Sequence, residues 1–171
     1  MTNDIILVDK NDNEIGTGNK LEVHQKGILH RAFSVFVWNK QGQLMMQQRA
    51  KEKYHTPGLW SNTCCSHPKP GEDTEAGAHR RLQEEMGFDC ELKEEMTVIY
   101  HSRFENDLTE HEYDHVFFGH YDGEPNINTE EVHAWEWMTV NELLRDVRVN
   151  PDNYTVWFKI ILNRLKNENI F

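Results

Sequence analysis

The stretch from Trp60 to Gly87 constrains this chain more than any other. Trp60-Ser61-Asn62-Thr63-Cys64-Cys65-Ser66-His67-Pro68 leads through Pro70-Gly71-Glu72 into a run ending Arg80-Arg81-Leu82-Gln83-Glu84-Glu85-Met86-Gly87. Asp73 or Thr74 can cap a helix there, Ala78, Leu82 and Met86 recur at i+4 on one face, and Gly87 supplies the stop. If residues 61–67 are extended, side chains two apart share a face, so Cys65 and His67 look into one space while Cys64 and Ser66 point away. Small polar residues pack a strand poorly, which implies selection for something other than packing. A single buried, inert cysteine beside a loop histidine is the bland alternative.

The rest of the chain reads as alternating strands and helices. Residues 5–8 and 14–17 form an opening hairpin, and residues 20–31, with no clean period and a glycine, are expected to be a loop with one helical turn at most. Residues 32–38 are a buried strand, expected to pair with residues 43–49 as a second hairpin. Further strands are expected near 91–104, 112–121 and 132–138, then a short helix capped by Thr139. A closing amphipathic helix over residues 155–166 should bury a stripe through Val156, Ile160 and Leu165, with Phe158 and Ile161 at its margins. At 171 residues the chain fits one domain, residues 1–171.

Composition narrows the function. A formal net charge of −11 with no long basic stripe argues against nucleic acid or an anionic membrane as partner. A phosphorylated substrate would then need metal ions or a few placed cations. Three cysteines, two of them adjacent, make a poor disulfide framework and fit a reducing, cytoplasmic setting, and no targeting or long apolar segment is visible. The ten histidines invite a search for metal ligands. Glu110 and Glu112 face the same way at the start of a strand, where like charges repel unless a cation lies between them. His24, His30 and His67 are candidate partners, and the resulting all-N/O set suits manganese, magnesium, zinc or ferrous iron. Two surface glutamates on an acidic protein would be the plain reading of the same pair.

Residues 66–88 resemble the Nudix box, G-x5-E-x7-R-E-U-x-E-E-x-G-U with U apolar. Glu72, Arg80, Leu82, Glu84, Glu85, Gly87 and Phe88 match it, whereas Ser66 replaces the opening glycine and Arg81 replaces a glutamate that helps hold catalytic magnesium in the hydrolases. Together with W-S/T-N-x-x-C-x-H-P and a later E-x-E, these departures resemble the type I isopentenyl diphosphate isomerases, from about Leu7 to the final helix. The resemblance implies an α/β fold, an α/β/α sandwich with a central mixed sheet. It also implies interconversion of isopentenyl and dimethylallyl diphosphate through a tertiary carbocation, in isoprenoid biosynthesis. Carried over by position, Cys65 and Glu112 are the catalytic pair, with Tyr100 beside them. His24, His30, His67, Glu110 and Glu112 hold a divalent metal (manganese, zinc or magnesium), and Glu85 binds magnesium against the diphosphate. Lys20, Arg49, Lys53 and Arg81 hold the diphosphate, and Trp157 faces the isoprenoid; plain helix core is the alternative for Trp157. A monomer or weak dimer is expected. A Nudix diphosphate hydrolase and a non-catalytic metal-binding protein are the rival functions.

Overall fold

The computed structural model describes residues 3–53, 55–104 and 106–170. Its strands are β1 (Asp4–Val8), β2 (Glu14–Asn19), β3 (His30–Trp38), β4 (Gln43–Arg49), β5 (Trp60–Ser61), β6 (Cys64–Ser66), β7 (Leu92–Arg103), β8 (Thr109–His120) and β9 (Val132–Thr139). Its helices are α1 (Lys20–Lys26), α2 (Thr74–Met86), α3 (Val140–Val149) and α4 (Val156–Asn167). The sheet is mixed: β3 runs parallel to β8 from His30↔Glu112 to Trp38↔His120, and its other pairings are antiparallel.

The two-residue period of β3 explains why helices cover both faces of this sheet. Phe33, Val35 and Val37 join a core with Ala78, Leu82 and Met86 of α2. Phe36 and Trp38 join the opposite core with Leu143 of α3 and Phe158, Ile161 and Leu165 of α4. The expected sandwich is therefore present. On α2, Asp73 caps the N-terminus by accepting from Ala76 N, and Gly87 ends the helix at φ 71°. The Ala78, Leu82 and Met86 stripe is buried as expected.

Three local expectations are corrected. Residues 20–26 are a full helix, because Asn19 accepts from the amides of Leu21 and Glu22 and Gly27 closes it at φ 67°. The 32–38 and 43–49 strands touch as a hairpin only at Trp38↔Leu44; β4 then turns away to pair with β9 and β5. The buried face of α4 is Trp157, Phe158, Ile161, Leu162 and Leu165, one position round from the expected stripe, which leaves Val156 and Ile160 half-buried.

The divergence of β3 from β4 explains the small polar residues at 61–63. Asn62 Nδ2 donates to Val35 O, and Thr63 Oγ1 accepts from Val37 N while donating to Met45 O. These side chains satisfy backbone groups that a continuous β3–β4 ladder would otherwise pair. Their presence splits the expected 61–67 strand into β5 and β6, and β6 inserts beside β3 at Phe33↔Ser66, Ser34↔Cys65 and Val35↔Cys64.

Candidate active site

The alternation expected within β6 holds for the two cysteines, whereas Ser66, expected to point away with Cys64, also lines the cavity that Cys65 faces. Cys64 is buried in the core against α2, while Cys65 packs toward the α4 side and, with His67, lines a cavity of about 510 Å³. That volume suits a small-molecule ligand. Asn62 sets the thiol's direction. Both of its amide hydrogens are used, on Val35 O and Cys64 O at 3.0 Å each, so its Oδ1 is left to accept from Cys65 Sγ at 3.1 Å. Trp157 Nε1 donates to the same sulfur at 3.1 Å. Burial, then the neighbouring Asp114 carboxylate, pushes the Cys65 thiol up to about 12 against the opposing hydrogen bonds of Ser34 and Asn62. At neutral pH this residue carries its proton.

Strand pairing assembles the imidazole and carboxylate end of the cavity. The parallel register sets His30 beside Glu112, and Glu110 and Glu112 alternate onto one face of β8. Helix α1 brings in His24, and β6 leads directly into His67. Ligand atoms of His24, His30, His67 and Glu110 all lie within 4.8 Å of one another. Glu112 joins them through His67 Nε2 at 2.9 Å and His30 Nε2 at 3.3 Å. Two of the rings are oriented from behind: His24 Nδ1 donates to Lys20 O at 2.6 Å and His30 Nδ1 to Ile28 O at 2.9 Å. Each Nε2 is thereby turned toward a carboxylate, the arrangement that presents a histidine to a metal.

The electrostatics of this cluster are compatible with a bound cation. His30 Nε2 and Glu110 Oε2 are buried without a hydrogen-bond partner among the described residues. Burial raises the Glu112 carboxyl, but the close imidazoles of His30 and His67 outweigh it and hold the group well below the usual carboxylate range. For His24, burial is outweighed by Glu110, leaving its pKa above the ordinary value. Burial pulls His67 down to about 4. Tyr100, paired with Glu112 across the β7–β8 register, donates its hydroxyl to Glu112 Oε1 and does not line the cavity.

A cation wall of the same cavity carries Lys20, Arg49, Lys53 and Arg81. Burial, then the charges of Lys53 and Arg49, lowers the Lys20 pKa, as expected for cations gathered around one anion site. Arg49 lies with its guanidinium carbon 5.4 Å from the Trp157 ring centroid, and Trp157 lines the cavity between the two ends. Glu85, only 1% exposed, sits behind this wall: it accepts from Arg81 at 3.1 Å and from the Cys64 thiol at 2.8 Å, with Lys53 at 3.8 Å.

Sequence reasoning missed three contributors. Asp114 follows Glu112 on the same face of β8, takes a hydrogen bond from Ser34 at 2.7 Å, and has its carboxyl pushed well up by burial and by Glu112. Its two-residue spacing from Glu112 was the available signal. Glu131 pairs with Lys53 and with Arg81 at 3.3 Å, and His55 reaches Glu110. Neither lies in a periodic segment, so nothing in the sequence marked them.

Comparisons with known proteins bear on this arrangement. Residues 28–158 match the NUDIX domain family. The chain is 54% identical over 166 residues to "Isopentenyl-diphosphate Delta-isomerase 2" of Photorhabdus laumondii, which covers 97% of this chain and 94% of that one. Identity to "Isopentenyl-diphosphate Delta-isomerase" of Serratia proteamaculans is 50% over 161 residues, covering 94% and 90%. A crystal structure of a protein from Deinococcus radiodurans shares the fold, with a TM-score of 0.79 at 19% identity over 94% of this chain and 98% of that one. Because identity of this order extends across the strands, helices and cavity alike, the chain belongs to the isopentenyl-diphosphate Delta-isomerase family of NUDIX-domain proteins.

Proposed function

We propose that the protein interconverts isopentenyl and dimethylallyl diphosphate, with Cys65 and Glu112 as its acid and base. The observation that carries this reading is that one cavity holds both groups in opposite protonation states. Cys65 is kept as a thiol, up at about 12, whereas Glu112 is kept ionised. Moving a double bond requires a proton added at one carbon and removed from another, so a donor and an acceptor must face the substrate together.

In the direction toward dimethylallyl diphosphate, the Cys65 S–H bond breaks and its proton adds to the terminal alkene carbon, using the π pair. The cation left at the tertiary carbon would lie against Trp157, whose face contributes about 2 kcal/mol where the bound substrate excludes water. A Glu112 oxygen then removes a proton from the carbon two bonds along, and the released C–H pair forms the new double bond. Tyr100 and His67 hydrogen-bond the Glu112 oxygens and fix which lone pair is presented. The cycle ends with a Cys65 thiolate and a protonated Glu112, the correct state to run the reaction backward.

Lys20, Arg49, Lys53 and Arg81 anchor the diphosphate by charge and exclude water from the cation. His24, His30, His67, Glu110 and Glu112 fit a divalent cation of the manganese, zinc or magnesium type: buried all-N/O donors, two of them ring-oriented by carbonyls. When bound, that ion supplies fixed positive charge beside Glu112, lowering its proton affinity. Glu85 offers one carboxylate, the number magnesium uses when phosphate oxygens complete its shell.

A diphosphate hydrolase is disfavoured by a specific contact. Arg81 stands where the hydrolase box has a magnesium-holding acid, so that carboxylate is replaced by a guanidinium, which pairs with Glu84 at 2.8 Å and Glu85 at 3.1 Å. Proton NMR of the protein with isopentenyl diphosphate and magnesium in deuterated water, with phosphate assayed on the same sample, decides between them. Deuterated dimethylallyl diphosphate without phosphate release is expected; phosphate release without rearrangement would sink the isomerase reading.

A further inference from the structure

His55 lies in the connection between β4 and β5, yet it is only 8% exposed and lines the cavity. Three contacts place it at a junction. Its Nε2 is 2.6 Å from Glu110 Oε1. Its ring stacks on Trp157, with centroids 5.9 Å apart at 26°, and receives the edge of Phe104 at 4.7 Å. Its carbonyl accepts from Arg49 NH2 at 3.1 Å. One residue therefore touches the carboxylate end, the π wall and the cation wall.

His55 is not one of the four residues whose ligand atoms close to within 4.8 Å; it meets that group through Glu110. Glu110 Oε1 is the oxygen facing both His24, at 3.4 Å, and His55, whereas Oε2 is buried without a hydrogen-bond partner among the described residues. A donor on Oε1 fixes the rotation of the carboxylate and leaves Oε2 to a cation. Outer hydrogen bonds of this kind orient metal ligands and raise affinity by about 10- to 100-fold.

We propose that His55 is a positioning residue that pairs through Nε2 with Glu110 Oε1, donating to it once a cation takes Oε2, so orienting the cation site, while its ring and carbonyl hold Trp157 and Arg49 in place for the substrate. This rests on the metal-site reading of the His/Glu cluster. The two halves of the role separate in two substitutions. His55→Gln retains an N–H donor at the Nε2 distance but loses the ring; His55→Phe retains the ring but loses the donor.

The test is titration of the metal-stripped full chain with Mn2+ alone, reading free ion by electron paramagnetic resonance, with folding checked by circular dichroism. For His55→Phe the Mn2+ dissociation constant is expected to rise by about 10- to 100-fold, with that of His55→Gln near the wild-type value. At saturating Mn2+, His55→Gln is expected to raise KM for isopentenyl diphosphate more than it lowers kcat, and His55→Phe to leave KM close to wild type. Wild-type affinity in His55→Phe, or equal loss in both variants, would overturn the positioning role while leaving the metal site intact. Failure of the wild type itself to bind Mn2+ would overturn the metal-site reading, and this inference with it. Should His55→Phe not fold, His55→Ala gives the same decision on the donor.

Discussion

Adjacent cysteines serve different purposes here because β6 turns them to opposite faces. Cys65 has Asn62 and Trp157 on its sulfur at the cavity, whereas Cys64 donates to Glu85 inside the other core. Replacing Cys65 by Ala, or Glu112 by Gln, is expected to remove the acid or the base, with a loss of about 100- to 10,000-fold in turnover by the NMR assay. Cys64→Ala touches neither and should keep most of the turnover. It does leave a buried carboxylate oxygen without its donor, at a cost of about 1–3 kcal/mol in urea unfolding. An inactive but folded and metal-loaded Cys64→Ala protein would refute this division. Cys65, His67, Glu110 and Glu112 were legible in the sequence because a strand's two-residue period is enough to aim side chains together. His55 was not legible, since its place depends on a loop path fixed by tertiary contacts with Glu110, Trp157 and Arg49.

At the scale of elements, local signals that carry their own stop codes were readable, and those that depend on a partner were not. Helix α2 declared itself through Asp73 and Gly87, but α1 is seven residues long and is sustained by its Asn19 and Gly27 caps rather than by any apolar period. That helix matters to the site: Lys20 and His24 are one turn apart, so one faces the cation wall while the other enters the metal cluster. The β4 strand was readable, its partners were not, because β3 and β4 separate after one pair and the gap is closed by Asn62 and Thr63. The α2 stop also tests how tightly this element is fixed. Gly87 has φ 71°, and an added Cβ would meet Asn126 O at 2.2 Å. The left-handed conformation alone costs an alanine about 1–2 kcal/mol, and backbone oxygen cannot rotate away as a side chain can. Gly87→Ala is therefore expected to lower Tm by at least about 5 °C, measured by calorimetry, and to displace Glu85 and Arg81 at the end of the same helix. An unchanged Tm would show that the 126–128 segment yields freely.

Over the whole molecule, a chain of net charge −11 concentrates four cations along one cavity, beside three imidazoles and two carboxylates. On the proposed function, the first arrangement would attract a diphosphate by focusing positive field into a cleft of an otherwise acidic surface. On the same proposal the second would trade protons for metal, and the direction of each pKa sets how. His24, with its pKa raised by Glu110, binds a proton in the metal-free fold that a cation must displace. His67, pulled down to about 4, and Glu112, held ionised, have no proton to lose near neutrality. Below the His24 pKa, Mn2+ affinity is therefore expected to weaken by up to about tenfold per pH unit. The stability consequence has the opposite sign without metal. A histidine whose folded pKa is raised contributes stability that is complete below its unfolded value and is lost as pH rises through the folded value. Deprotonation thus removes the His24–Glu110 pairing at the pH where the cation can replace it. The increase in Tm on adding a fixed excess of Mn2+ to metal-stripped protein is accordingly expected to be larger at pH 8 than at pH 6. A Tm increase equal at both values would mean that the proton and the cation do not compete for this cluster, and that Glu110 is satisfied in some other way.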